Sequence, residues 1–170
     1  MARSFDMSAD YAGSVEAVLG AFADERYWLA RLAQSGADEA LLEELAVSPS
    51  GAVTVATTQV LYRDKLPGVV AQFHRGNLRI TRREQWEPIA DGRSAATVSG
   101  AVPGAPVTLT GDARLQPATT ADASRATLRL AVEVRVPLVG GKIEEMLGGR
   151  LRELIRIEGD FTNGWIAGPH

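Results

Sequence analysis

Three charged side chains stand where the hydrophobic pattern of this sequence calls for apolar ones: Glu158, Arg82 and Glu84. Glu158 lies in the helical stretch from Val139 to Trp165. There Ile143, Leu147, Leu151, Leu154, Ile155, Phe161 and Trp165 recur at three- and four-residue steps and share one face. Counting about 100° per residue from Ile143 sets Glu158 near 60°, between Leu154 near 20° and Leu151 near 80°. An unpaired carboxylate buried there costs several kcal/mol or takes up a proton. It therefore needs a cationic or hydrogen-bonding partner, a water-filled cavity or a raised pKa, unless the helix bends at Gly159 and turns it outward. A structural ion pair, a polar contact to a ligand and a general acid or base are the chemistries open to it. Arg82 and Glu84 raise the same question on a strand. Strict alternation with Leu78, Ile80 and Trp86 sends both inward, where charge is unusual. A β-bulge that flips the register, or a place at a cavity mouth, would return them to water.

Other chemistry finds little support. His74 is the one internal histidine, and without cysteine or clustered acids it makes no zinc site. It reads as an exposed loop residue before it reads as a lone general base. Gly140-Gly141-Lys142 fails the phosphate-loop pattern, since Val136 and Ile143 occupy the positions of its first glycine and its hydroxyl residue. No nucleophile elbow or dinucleotide fingerprint occurs. No catalytic, cofactor-binding or metal-ligating residue is assigned.

Composition bounds the class of protein. The 170 residues suit one domain spanning 1–170, 45 % apolar and 23 % charged as in soluble globular proteins. A net charge of −3 with interspersed signs argues against a nucleic-acid partner. No run reaches the roughly 20 apolar residues of a transmembrane segment. The first residues lack a secretory signal core and cysteine is absent, so a cytoplasmic location is the simplest expectation.

The elements that must position these charges follow in order. A strand over Ala2–Ala9 precedes two short helices, Val15–Ala23 capped by Ser14 and Glu25–Gln34 capped by Asp24, the second carrying Trp28, Leu29 and Leu32. ALLEELAV has helix propensity, but the turn Ser48-Pro49-Ser50-Gly51 and the Val/Thr-rich strand Ala52–Tyr62 follow it. After a loop with Leu66-Pro67-Gly68, Val69, Val70 and Phe73, strands are expected over Leu78–Glu87, Arg93–Val102, Val107–Gln116 and Arg125–Val136. Asp91-Gly92 makes one of the tight turns. The apolar loop residues suggest a lid at a cavity entrance or a cluster packed beneath the loop. Consecutive strands with tight turns form an antiparallel sheet. The long terminal helix is the element able to cover its apolar face.

This order, together with VRVPLVGGKIEEML, Glu158-Gly159-Asp160-Phe161 and Trp165, resembles the START-like (SRPBCC) superfamily, which includes birch-pollen-allergen-like proteins and polyketide cyclases. LPGVVAQF followed by LRITRREQWEP resembles an uncharacterised actinobacterial branch of it. The resemblance implies an α+β helix-grip fold: a curved antiparallel sheet of about seven strands around one long C-terminal helix, with two short helices after the first strand. Seven strands require Leu41–Val47 to be one of them. The resemblance also implies a hydrophobic or amphipathic small-molecule ligand, such as a lipid, sterol or polyketide, held between sheet and helix, and it transfers no catalytic residue. Glu158, Arg82, Glu84, Trp86, Phe73, Leu151, Leu154, Ile155 and Phe161 are the expected ligand-binding residues. A cyclase- or isomerase-type enzyme using a Glu158 of raised pKa is the alternative. An interaction domain with a filled interior is another, with a homodimer through the sheet edge or helices left open.

Overall fold

A computed structural model of the chain describes residues 2–66, 68–72, 75–120 and 122–169, without the side chains of Val69 and Val70. Strand β1 (Arg3–Tyr11) leads into helices α1 (Val15–Phe22) and α2 (Glu25–Ala33). Strands β2 (Glu39–Val47) and β3 (Val53–Leu61) follow. A 3₁₀ turn (Arg63–Lys65) and the short α3 (Gly68–Ala71) lead to β4 (Leu78–Trp86), β5 (Ser94–Ala101), β6 (Val107–Pro117) and β7 (Ser124–Val134). Helix α4 (Gly140–Ala167) closes the chain. The strands form one antiparallel sheet in the order β1-β7-β6-β5-β4-β3-β2. This is the helix-grip architecture expected from the sequence, including a strand at Leu41–Val47.

Both short helices start where their side chains can cap them. Ser14 accepts from the backbone N–H of Ala17, and Asp24 accepts from that of Arg26. The cap fixes the entry angle of each helix and satisfies one otherwise orphaned donor. On α2, Tyr27, Trp28 and Leu32 are buried, whereas Leu29 is half exposed and does not join the inner face.

The register of β4 decides where its charges go. β3 and β4 pair without a shift from Val53–Trp86 to Leu61–Leu78, so Arg82 and Glu84 share the concave face with Trp86. A bulge does exist, but on β2, between Leu42 and Glu44. Two consecutive glutamates, Glu43 and Glu44, break the alternation there.

Helix α4 runs unbroken through Gly159, so no bend turns Glu158 outward. Its packing is drawn toward β1 and β7. A Cβ on Gly148 would stand 2.2 Å from the Phe5 ring, and one on Gly140 2.5 Å from the Val134 carbonyl oxygen. Close helix–sheet approach therefore explains the glycine at 148. The Glu144 carboxylate accepts from the Val134 N–H at 2.8 Å, fastening the first turn of α4 to the end of β7.

The interior divides into two apolar groups. Val132, Val134 and Ile143 are joined by Phe5, Leu147 and Leu151 under the first half of α4. Beneath its second half, Val18, Leu19 and Phe22 of α1 pack with Tyr27 and Trp28 of α2 on the sheet residues Val53, Val55, Trp86 and Leu115. Aromatic rings fill this second region: Tyr27 lies 5.7 Å from Phe161 and 5.8 Å from Trp165, and Phe22 lies 5.5 Å from Trp86. No helix among the described residues is long and apolar enough to cross a membrane.

Candidate functional site: a charged cluster beneath a cleft

The three unexpected charges meet. Glu158 Oε2 accepts a hydrogen bond from Arg82 Nη1 at 2.8 Å. Arg82 Nη2 also lies 3.5 Å from Glu84 Oε2, an ion pair along one strand face. Glu84 and Arg82 are two residues apart on β4 and therefore project side by side. The helix reaches them because Glu158 sits on its inner stripe.

A fourth charge completes the group. Arg31 Nη2 stands 2.5 Å from Glu158 Oε1 as an ion pair. Arg31 comes from α2, one turn beyond Tyr27, and their side chains share a face. Its Nη1 donates to the Tyr27 hydroxyl at 3.1 Å, and its guanidinium lies over the Trp28 ring at 4.6 Å from the centroid. Thr162 donates its hydroxyl proton to the Glu158 carbonyl oxygen at 2.8 Å. The 2.6 Å contact between Tyr27 and Thr162 must then run from the tyrosine O–H to the threonine oxygen. A directed chain results, from Arg31 through Tyr27 and Thr162 to the backbone of Glu158. It orients the guanidinium toward the carboxylate.

The electrostatic outcome is a fixed anion between two fixed cations. Burial pushes the Glu158 carboxyl pKa up, but the Arg31 and Arg82 charges and their contacts outweigh it and hold it at about 2. Burial also works against the charge of Arg31 and Arg82, and for each the attraction of Glu158 leads the opposing effects and raises the pKa. Tyr11, which faces the same interior, is raised chiefly by burial and keeps its proton. A general acid or base needs a pKa near the operating pH. Of the states open to Glu158, the ion pair is the one found; the two arginines hold the carboxyl low, the opposite of what the enzyme alternative requires, and the carboxylate serves as an ionised anchor.

Above this cluster opens a cleft of about 320 Å³ between α2, β3, β4 and α4. Arg31, Arg82 and Glu158 form its charged floor, and Trp28, Leu32, Leu154, Ile157 and Phe161 its apolar walls. Thr57 and Gln59 contribute from β3, with Thr57 directly opposite Arg82 in the strand pair. Of the residues singled out from the sequence, Glu158, Arg82, Leu154 and Phe161 line the cleft. Glu84 stands behind Arg82 and is buried. Trp86 lies in the core, its indole Nε1 without a hydrogen-bond acceptor. Leu151 packs with the first apolar group and Ile155 is buried; neither lines the cleft. Phe73 and His74 lie outside the described residues. Among the described residues no cluster of His, Asp and Glu could hold a metal ion.

Sequence reasoning missed Arg31, Thr57 and Gln59. A signal for Arg31 was present: a charge three residues from Trp28 and four from Tyr27, inside the apolar stripe of a short helix.

Residues 6–166 match the family described as "Protein of unknown function (DUF2505)". The chain belongs to that family. An uncharacterized protein of Mycobacterium tuberculosis is 45 % identical to it over 170 residues, covering 98 % of both chains. Among solved structures, it is similar to a START superfamily protein from Mycobacterium smegmatis, at a TM-score of 0.52 and 13 % identity over 96 % of each chain. It is also similar to norcoclaurine synthase from Thalictrum flavum in complex with dopamine and hydroxybenzaldehyde, at a TM-score of 0.54 and 12 % identity, covering all of this chain and 90 % of that one. These likenesses show that this family member has the START-like fold.

Proposed function

We propose that this protein binds a small amphipathic molecule in the cleft between α2, β3–β4 and α4. The observation that carries the reading is the cleft itself, with apolar side chains on its walls and a cluster of ion-paired charges as its floor. Ligand sites are commonly of this kind, mostly apolar with a few placed polar groups. Affinity would come from apolar surface removed from water, at about 25 cal/mol per Å², and orientation from the floor.

Size narrows the ligand. A space of about 320 Å³ lies at the small end of the roughly 300–1,000 Å³ typical of ligand pockets. It suits a molecule of one or two rings, or a short chain, better than a sterol. The one-ring ligands named for the norcoclaurine synthase structure are of that scale.

The test is native mass spectrometry of the protein purified from its own host, alongside Leu154→Trp, which fills the cleft from its wall. A co-purifying small molecule in the wild type that is absent from the variant is the expected result. A bare wild-type spectrum, together with no saturable uptake of naphthalene-sized fluorescent probes, would remove the reading.

A further inference from the structure

The floor of the cleft is charged, yet its charges cancel. Arg31 and Arg82 face Glu158, and Arg82 is shared with Glu84, giving two guanidiniums against two carboxylates. The remaining acid on the lining, Asp160, is exposed at the rim and paired with Arg156 at 3.1 Å. Tyr11, its pKa raised chiefly by burial, faces the same interior, and the Tyr27 hydroxyl accepts from Arg31.

A ligand carboxylate entering here would meet arginines whose charge Glu158 and Glu84 already balance. A ligand ammonium would have to share Glu158 with two arginines already in place. Either ion would shed its hydration without finding a free counter-charge, and that cost is not returned. Hydrogen-bonding capacity is nevertheless available. The Thr57 hydroxyl is on a buried residue that lines the cleft, and neither it nor the Gln59 amide makes a side-chain hydrogen bond among the described residues. Each guanidinium has five N–H donors, of which the contacts just described engage two on Arg31 and two on Arg82. The unmet groups thus offer guanidinium donors from the floor, one acceptor there in Glu158 Oε1, which is ion-paired but accepts no hydrogen bond among the described residues, and both donors and acceptors from β3.

We propose that the polar end of the ligand is an uncharged hydrogen-bonding group, such as a hydroxyl, carbonyl or amide. The balance among Arg31, Arg82, Glu158 and Glu84 selects it over carboxylate and ammonium analogues of the same shape. This rests on the ligand-binding reading above and adds to it the class of ligand.

Three naphthyl probes of matched shape test it: 2-naphthol, 2-naphthoate and 2-naphthylmethylammonium, titrated by fluorescence at neutral pH into the full chain. The wild type should bind the naphthol at least about tenfold more tightly than either ion, a difference of about 1.4 kcal/mol. Thr57→Val, which keeps the side-chain shape, should weaken naphthol by roughly threefold to tenfold, the worth of one neutral hydrogen bond. Glu158→Gln leaves two guanidiniums against one carboxylate and should move the preference to naphthoate. Arg82→Gln leaves the opposite excess and should move it to the ammonium. A merely structural role for these residues would weaken all three probes together. Since Glu158→Gln carries a stability cost, Arg82→Gln and Thr57→Val keep the inference open to refutation if that variant does not fold. If an ion binds the wild type most tightly, or the folded charge variants leave the ranking unchanged, the ligand class is wrong while the cleft reading stands. If no probe binds, or if Leu154→Trp leaves their binding intact, the cleft reading itself fails and takes this inference with it.

Discussion

Replacing Glu158 by glutamine should produce a stability deficit that depends on pH, and its size follows from the cluster. The carboxyl is held at about 2 in the folded protein against 4.5 ordinarily. Between those values the unfolded chain binds the proton and the folded chain does not, so stability rises with pH across the window. The contribution is therefore fully present above pH 4.5 and is lost as pH falls toward 2. At about 1.4 kcal/mol per pH unit between the two values, it amounts to roughly 3 kcal/mol at neutral pH. Glutamine keeps an acceptor for Arg82 but cannot supply the charge, so the variant should be about 3 kcal/mol less stable there, at the low end for breaking a buried pair. With a urea dependence of about 2 kcal/mol per M, the unfolding midpoint should fall by roughly 1.5 M. Repeating the unfolding near pH 3 should narrow the gap between wild type and variant by about 2 kcal/mol, because most of the window has then been crossed. The comparison cancels the other carboxylates, which titrate in both proteins. A gap of the same size at both pH values would refute the argument: Glu158 would then not be held ionised by Arg31 and Arg82, and the floor of the cleft would not carry the charges assigned to it.

The adjacent glycines of α4 should respond in opposite directions. Gly149→Ala meets nothing within 4 Å and should gain about 1 kcal/mol of helix stability, raising Tm by about 2–4 °C. Gly148→Ala drives a methyl into the Phe5 ring and should lower Tm, since overpacking costs about 1–3 kcal/mol; adding Phe5→Leu should restore most of the loss. Equal effects at the two positions would mean that α4 does not press on β1. Tyr27→Phe removes the group that receives from Arg31 and gives to Thr162, and urea unfolding should show a loss of about 1–3 kcal/mol. In a double-mutant cycle with Thr162→Val the losses should be non-additive by at least about 0.5 kcal/mol, and strict additivity would break the proposed chain of hydrogen bonds.

Most of the architecture was legible because it rests on periodicity. Alternation located the edges of β4 to β7 to within a few residues, and it placed Arg82 and Glu84 inward, because nothing interrupts the β3–β4 pairing. The angular count placed Glu158 on the inner stripe of α4. What escaped came from elements too short for a period to stand out. On α2, Arg31 lies about 60° from Trp28 and about 40° from Tyr27 by the same count, within the buried face. In a helix of nine residues, one arginine at the end of that face reads as a last-turn charge that favours the helix C-terminus. The β2 segment favoured helix by local propensity, and its strand exists because β3 offers an edge to pair with. Thr57 and Gln59 were hidden for another reason. In a Val/Thr-rich strand polar residues lie on both faces, and the sequence does not mark which of them meets open space.

The position of the cleft depends on the smallest residues of α4. Gly148 and Gly159 are eleven residues apart, about three helical turns, and so face the same way. At Gly148 the helix rests on Phe5, and a Cβ at Gly159 would stand 3.6 Å from that of Ala9, both contacts on β1. Side chains of ordinary size at these two places would hold the helix off that edge. Because glycine stands there, α4 settles against β1 and β7 and leaves β3 and β4 at a distance that only long side chains can span. Glu158, Arg82 and Arg31 span it, and the apolar side chains of α2 and α4 beyond them line open space. The charged cluster and the cleft are thus two results of one packing decision: the arginines tie the helices to the far half of the sheet, and the space left above that tie is the space a ligand can fill.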